Sequence, residues 1–195
     1  LAAQGLNLTE AVIGNLFFNF SVILLLMMPV LAMRTLAEEQ KQGTLELLLT
    51  YPVNEWELVA AKFLSAFCVL LMMLTPLLVD LFLLQRVGGM FEWGVVFSGF
   101  LGLLLLAMAF IALGIFTSSL TENQVVSAAM SFGFLLLLWV IGWLSRFLPY
   151  RLGGWVDELS LLRHSEGFFK GLIQLKHVLF YALFTLFFLF LAVWR

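Results

Sequence analysis

Charge is what this chain has least of. Asp, Glu, Lys and Arg make up 11% of its 195 residues, against about 25% in an ordinary soluble domain. That composition argues against a water-soluble fold. Cysteine is nearly missing too. Cys68 stands alone, so no internal disulfide can form, and its place inside an apolar run reads as a small packing residue. A net charge of −2 with ten basic residues gives no sign of a nucleic-acid partner. Leu1 to Glu10 carries no basic n-region, so no signal peptide is read there. Several chemical signatures are also absent. There is no HExxH, no GxSxG and no nucleophile–base constellation, so the chain is not read as an enzyme. It has no GxxxxGK followed by Ser or Thr, and therefore no loop of its own to cradle ATP phosphates. His164 and His177 lie thirteen residues apart, neither with a partner at i+3 or i+4, and no metal site is read.

Long apolar runs fill the space that charge leaves. A membrane-crossing helix needs about 20 mostly apolar residues, and five runs qualify: 11–33, 59–84, 93–116, 125–144 and 178–194. The expected fold is all-α, a polytopic helical membrane protein forming a single domain over 1–195. Asn15, Asn19 and Ser21 interrupt the first run, and Lys62 sits where its stem can snorkel to the interface. Asp80 is the one acid deep in an apolar stretch and so a default site candidate. The simpler expectation is that it reaches interfacial water or pairs with Arg86. Ser127 with Ser131, and Ala129 with Gly133, repeat small residues at four-residue spacing, which lets helices approach closely in lipid.

The connections alternate between two sides. Residues 34–58, 117–124 and the C-terminus fall on one side; the N-terminal stretch, 85–92 and 146–176 fall on the other. Counting basic residues does not orient the chain, with four on the first side and six on the second. Within 146–176 and just beyond, Leu161, Phe168, Leu172, Leu175 and Leu179 share one helical face. That pattern predicts an amphipathic helix at the membrane surface or a re-entrant hairpin, after a Gly153-Gly154 hinge.

One long polar island interrupts the first three quarters of the chain, residues 34–62. It holds Glu38, Glu39, Glu46, Glu55 and Glu57 of twelve acidic residues in all. Its Leu45, Leu47, Leu48 and Leu49 are too apolar for a solvated linker and too few for a span. Such a stretch suits a short helix lying against lipid headgroups or a partner protein.

The wording of that island is specific. Residues 37–53, AEEQKQGTLELLLTYPV, resemble the signature EExxxGTLELLLTxPV of ABC-2 type transporter permeases. Residues 56–63, WELVAAKF, continue the match, and 116–124, FTSSLTENQ, are similar to the family's ISSLTENQ turn between its fourth and fifth spans. The likeness is greatest to permeases associated with gliding motility and with nitrous-oxide-reductase maturation. It places the chain in alignment from just before the family's second span, so five of an expected six spans are present in a type V exporter-like fold. It departs from close relatives at Gln174, Lys176 and His177, where an acidic–basic–acidic pattern is usual.

The resemblance implies the membrane-spanning permease subunit of an ATP-binding cassette exporter, multi-pass in the bacterial cytoplasmic (inner) membrane. ATP and Mg²⁺ would be bound by separate ATPase subunits, and this chain would itself hold no cofactor. Residues 34–58 would be the cytoplasmic coupling segment. Leu45, Leu47, Leu48 and Val53 would fill a groove of the ATPase, with Glu38, Glu39, Lys41 and Glu46 at its rim. Gly43 and Thr44 would set a bend, Pro52 the helix end, and Trp56 the continuation of the docking surface. Thr121, Glu122 and Asn123 would be a lesser contact on the same side, and Asn15, Asn19 and Asp80 would line the outer half of the path. Partners would be the ATPase subunits, a second permease copy or paralogue, and a periplasmic auxiliary subunit. The alternative is a mechanotransmission subunit that anchors or drives a periplasmic partner while moving no solute. A secondary transporter would want paired broken helices and midplane charges, and Pro29, Pro76 and Asp80 alone speak for that.

Overall fold

A computed structural model describes residues 2–44, 54–86, 92–144, 154 and 158–195, without the side chains of 2–12, 84 and 143. Among these residues seven helices are defined: α1 (Ala2–Ala32), α2 (Ala37–Gln42), α3 (Glu55–Arg86), α4 (Trp93–Ser119), α5 (Gln124–Leu144), α6 (Leu161–Phe169) and α7 (Leu175–Trp194). There is no strand among the described residues. Among the described residues, five stretches are long and apolar enough to cross a membrane: Ile13–Gln42, Glu55–Leu83, Trp93–Ser119, Gln124–Gly142 and Leu175–Trp194.

The apolar runs place these helices but not their ends. Polar first turns extend α3 and α5 beyond the runs. Glu57 at the third position of α3 reaches back to the Asn54 amide at 3.3 Å, half of a capping box. Glu55 and Glu57 also set negative charge against the positive end of the helix. The Asn123 side-chain oxygen accepts from the Val125 amide at 3.0 Å and starts α5. At the far end of α4 the expected polar turn is shorter than 117–124. Thr117, Ser118 and Ser119 are helical and buried, because Thr117 Oγ1 donates to Gly114 O and Ser119 Oγ to Phe116 O. A hydroxyl that bonds back to its own helix can stay in an apolar setting.

Helix α4 is the hub. It packs against α1, α3, α5, α6 and α7, while α1 also meets α5 and α6, and α3 meets α7. Its residues from Ala109 to Ile115 are all buried, as expected of a helix that is apolar all round. Lipid tails supply no hydrophobic drive for helices to associate, so close contact has to hold the bundle. Glycine provides it. A Cβ at Gly102 would fall 2.4 Å from the Phe168 Cβ of α6, and one at Gly114 would fall 2.4 Å from the Ala32 Cβ of α1. In α5, Ser127 and Ser131 turn into the bundle, whereas Ala129 and Gly133 face outward.

The single amphipathic face expected from Leu161 to Leu179 is broken. Leu161 and Phe168 are buried, but Leu172, Leu175 and Leu179 are exposed. Gly171, at φ 85°, ends the run, and the Leu172 amide turns back to Gly167 O at 2.9 Å. Helix α6 therefore docks into the bundle, and α7 leaves it in a new direction. One smaller expectation also changes, and of the two offered for Asp80 the pairing with Arg86 is not formed. Cys68 lies on an exposed face of α3 rather than in packing. Asp80 is exposed and has no ion pair among the described residues, while Arg86 lies over the Phe82 ring at 5.0 Å.

Candidate functional site

The polar ends of three helices meet at one end of the bundle. Helix α1 stops at Ala32, the chain turns through 33–36, and α2 begins. A helix start leaves amide groups without partners, and a Ser, Thr, Asp or Asn normally supplies an oxygen. The residue in that position is Leu36, which has none. The oxygen comes instead from Ser118, near the end of α4. Its Oγ accepts from the Leu36 amide at 3.1 Å and the Ala37 amide at 2.9 Å. The same hydroxyl donates to Met33 O at 3.1 Å. A serine hydroxyl has one proton and two lone pairs, so all of its capacity is spent on this elbow. Ser118, Ala37 and Leu36 are all buried.

Two further ties hold α2. Gln40 Nε2 donates to Ser119 O at 3.0 Å, and Lys62 of α3 forms an ion pair with Glu39. Glu39 is thus turned toward its own bundle. Glu38 accepts from Gln42 Nε2 at 3.3 Å along the helix, and Lys41 is exposed. Gly43 closes α2 at φ 70°, a left-handed conformation that glycine adopts without a Cβ penalty. Thr44 Oγ1 donates to Glu39 O at 3.3 Å. The bend expected at Gly43 is therefore a helix end. Leu45, Glu46, Leu47, Leu48, Pro52 and Val53 lie outside the described residues.

An open cleft of about 640 Å³ joins the elements of this end. It is lined by Gln40, Gly43, Ser119, Leu120, Thr121, Glu122, Asn123 and Arg195. The structure so brings the 121–123 turn beside α2, and it adds the C-terminal Arg195. Trp56 stands at the same end, exposed, with its ring 5.9 Å from Phe190 of α7. Trp56 and Trp194 here, and Trp93 at the start of α4, are exposed near helix ends, as tryptophans that anchor helices at membrane interfaces are. Asn15, Asn19 and Asp80 are not drawn into this site. They face outward on α1 and α3, and no interaction joins them among the described residues.

Sequence reasoning overlooked Ser118, Ser119, Lys62 and Gln40 as one constellation. The one signal available was the mismatch between a helix start at Leu36 and a side chain unable to cap it. It also missed a cluster at the opposite end. His164 is buried, stacks on Phe180 with ring centres 3.8 Å apart, and meets His177 edge-on at 4.9 Å. Its Nδ1 donates to Ser160 O at 3.0 Å, and its Nε2 lies 3.9 Å from a Glu158 carboxylate oxygen. Burial pushes the His164 imidazole below its ordinary range, and the hydrogen bond from Lys176 lowers Glu158. No group of three metal-ligating side chains converges among the described residues.

Comparison with known proteins adds the family. Residues 4–152 match the profile of the ABC-2 family transporter protein. No curated protein and no solved structure matches the chain. The matched residues run from α1 to just past α5 and include α2, the hub helix and the 120–123 turn. With most of its length inside that profile and five helices able to cross a membrane, this chain belongs to the ABC-2 family of transporter membrane proteins.

Proposed function

We propose that the chain is the permease subunit of an ATP-driven exporter in a bacterial cytoplasmic membrane, with the α2 end as the docking face for its ATPase subunits. Family membership makes it a multi-pass membrane subunit of an ABC transporter, a class that generally works with ATPase subunits and dimerises. The observation that carries the docking reading is the convergence at one cleft of α2, the 119–123 turn and Arg195. Lys41, Glu122 and Arg195 are exposed there, and they offer charges of both signs to a partner surface. The leucine-rich residues 45–49 follow α2 directly in sequence and would supply the apolar contact.

ATP would be held by the partner, since this chain has no phosphate-binding loop in its sequence. The permease's own part is mechanical. Closure of the ATPases would press on α2, and the bundle would pass between inward- and outward-facing states. Asn15 and Asn19 sit one turn apart on the outward face of α1, and Asp80 is exposed on α3. Polar side chains turned toward hydrocarbon are costly. A second permease copy would cover them, and they would line the outer half of a path between copies. The wording of residues 37–53 and 116–124 favours the gliding-motility and nitrous-oxide-reductase-maturation branch of the family.

The test is ATPase activity of the assembled complex in vesicles. Leu47→Asp and Lys41→Glu should each lower permease-stimulated hydrolysis at least about tenfold, with membrane insertion unchanged. Full stimulation in both variants would refute docking at this end. Intact stimulation without solute movement, together with a co-purifying periplasmic protein, would replace export by mechanotransmission.

A further inference from the structure

We infer that Ser118 is the residue through which displacement of α2 is transmitted to the hub helix α4, an inference that rests on the docking reading above. Three observations lead to it. The first is the use of the hydroxyl. Its neighbours Thr117 and Ser119 bond back to carbonyls of α4 itself, whereas Ser118 spends its whole capacity across the elbow, on Met33, Leu36 and Ala37. The second is the sequence of the elbow. Leu36 has no side-chain oxygen, so the start of α2 depends on a group 82 residues away. The third is the recipient. Helix α4 touches every other long helix, and a shift of its end has to be accommodated by all of them.

The attachment has two sides. Gln40 Nε2 adds a second bond to the end of α4 through Ser119 O, while Glu39 and Lys62 fix α2 to α3. A push on α2 therefore moves the ends of α3 and α4 together. Directly beneath, Gly114 lets Ala32 approach α4 so closely that no Cβ would fit. Ala32, Leu36 and Ala37 are buried, so the inner side of the elbow is packed against the bundle. Without the Ser118 hydroxyl, α2 could remain docked to its partner, be tied to α4 by the Gln40–Ser119 bond alone, and swing with far less movement of α4.

The experiment uses the full-length permease with its ATPase subunits in nanodiscs, in a Cys68→Ser background. Phe97→Cys places a reporter in the first turns of α4, where the native side chain is exposed. That is roughly 32 Å from Ser118 at about 1.5 Å per residue. Two quantities are read in wild type, Ser118→Ala and Ser118→Thr: the ATPase subunit retained, and the change in maleimide labelling rate on adding ATP with vanadate. In Ser118→Ala the retained ATPase should stay within twofold of wild type, while the ATP-dependent change falls at least fivefold. Ser118→Thr, which keeps the hydroxyl, should preserve the change. A full ATP-dependent change in Ser118→Ala, with faster hydrogen exchange at Leu36 and Ala37 confirming the lost bonds, would overturn transmission and leave Ser118 a cap. Loss of the ATPase subunit from Ser118→Ala would also overturn it, because the hydroxyl would then shape the docking surface. If wild type itself binds no ATPase, the docking reading fails first.

Discussion

Ser118 illustrates how much one side chain can carry when water is scarce. Removing its hydroxyl leaves the buried amides of Leu36 and Ala37 without a partner, and each such group costs about 1–3 kcal/mol. Ser118→Ala should therefore lower the thermal midpoint of the purified protein. Thr117→Val and Ser119→Ala, whose hydroxyls serve carbonyls of their own helix, should cost less, under about 1 kcal/mol each. Equal losses in all three would contradict the assignment. The sequence does not disclose this difference. A run of Thr, Ser and Ser with Thr121 and Asn123 close behind reads as a turn because such side chains compete for backbone groups. In this apolar setting the same competition is resolved inside the helix, and the polar run stays helical through Ser119.

At the scale of helices, packing is set by where α4 lacks side chains. Gly102→Leu would drive new atoms into Phe168, and overpacking of this kind costs about 1–3 kcal/mol. Gly94→Leu, at a glycine with open space around it, should be tolerated; differential scanning of the two variants checks the contrast. The joint of α6 and α7 carries a pH dependence. His164 faces Glu158, His177 and Lys176, and burial holds its pKa below the ordinary value of 6.5. The folded form then binds fewer protons than the unfolded one, so stability is present above about pH 6.5 and is lost as pH falls below it. Glu158, lowered mainly by its hydrogen bond from Lys176, acts in the same sense below the ordinary carboxylate value of 4.5. Hydrogen exchange of α6, corrected for intrinsic rates, should quicken between pH 7.5 and 5.5 in the wild type and change less in His164→Gln. Equal pH dependence in the two would remove His164 from the account. Hydrophobic run lengths made the five long helices legible, since a bilayer demands about 20 apolar residues of any span. The course of α6 and α7 was not legible. Leu161, Phe168, Leu172, Leu175 and Leu179 keep helical spacing across a break that Gly171 makes, and spacing alone cannot register a change of direction.

Across the whole molecule, the bundle is one hub with two unlike ends. The α2 end gathers exposed charge and a wide cleft from segments distant in sequence; the α6 end is sealed by buried rings and by the bond from Tyr181 OH to Leu161 O at 2.7 Å. That 34–58 and 117–124 share a side followed from counting spans, and α2 and the 120–123 turn do meet. That Ser118, Ser119 and Lys62 bind α2 did not follow, because contacts across 79 to 82 residues or between separate helices leave no mark in periodicity. Charge counting gave no orientation, and the docking assignment rests on the wording of residues 37–53 together with the cleft that joins α2 to the 120–123 turn. The central claim is that the end carrying α2 receives the ATPase. The most direct measurement is photo-cross-linking in cells from a benzophenone side chain placed at Lys41 or Glu122 at that end, and at Trp93 or Leu172 at the other, all exposed positions. The account predicts covalent adducts with the ATPase subunit from Lys41 and Glu122 and none from Trp93 and Leu172. Adducts from the second pair, or from none of the four, would contradict it.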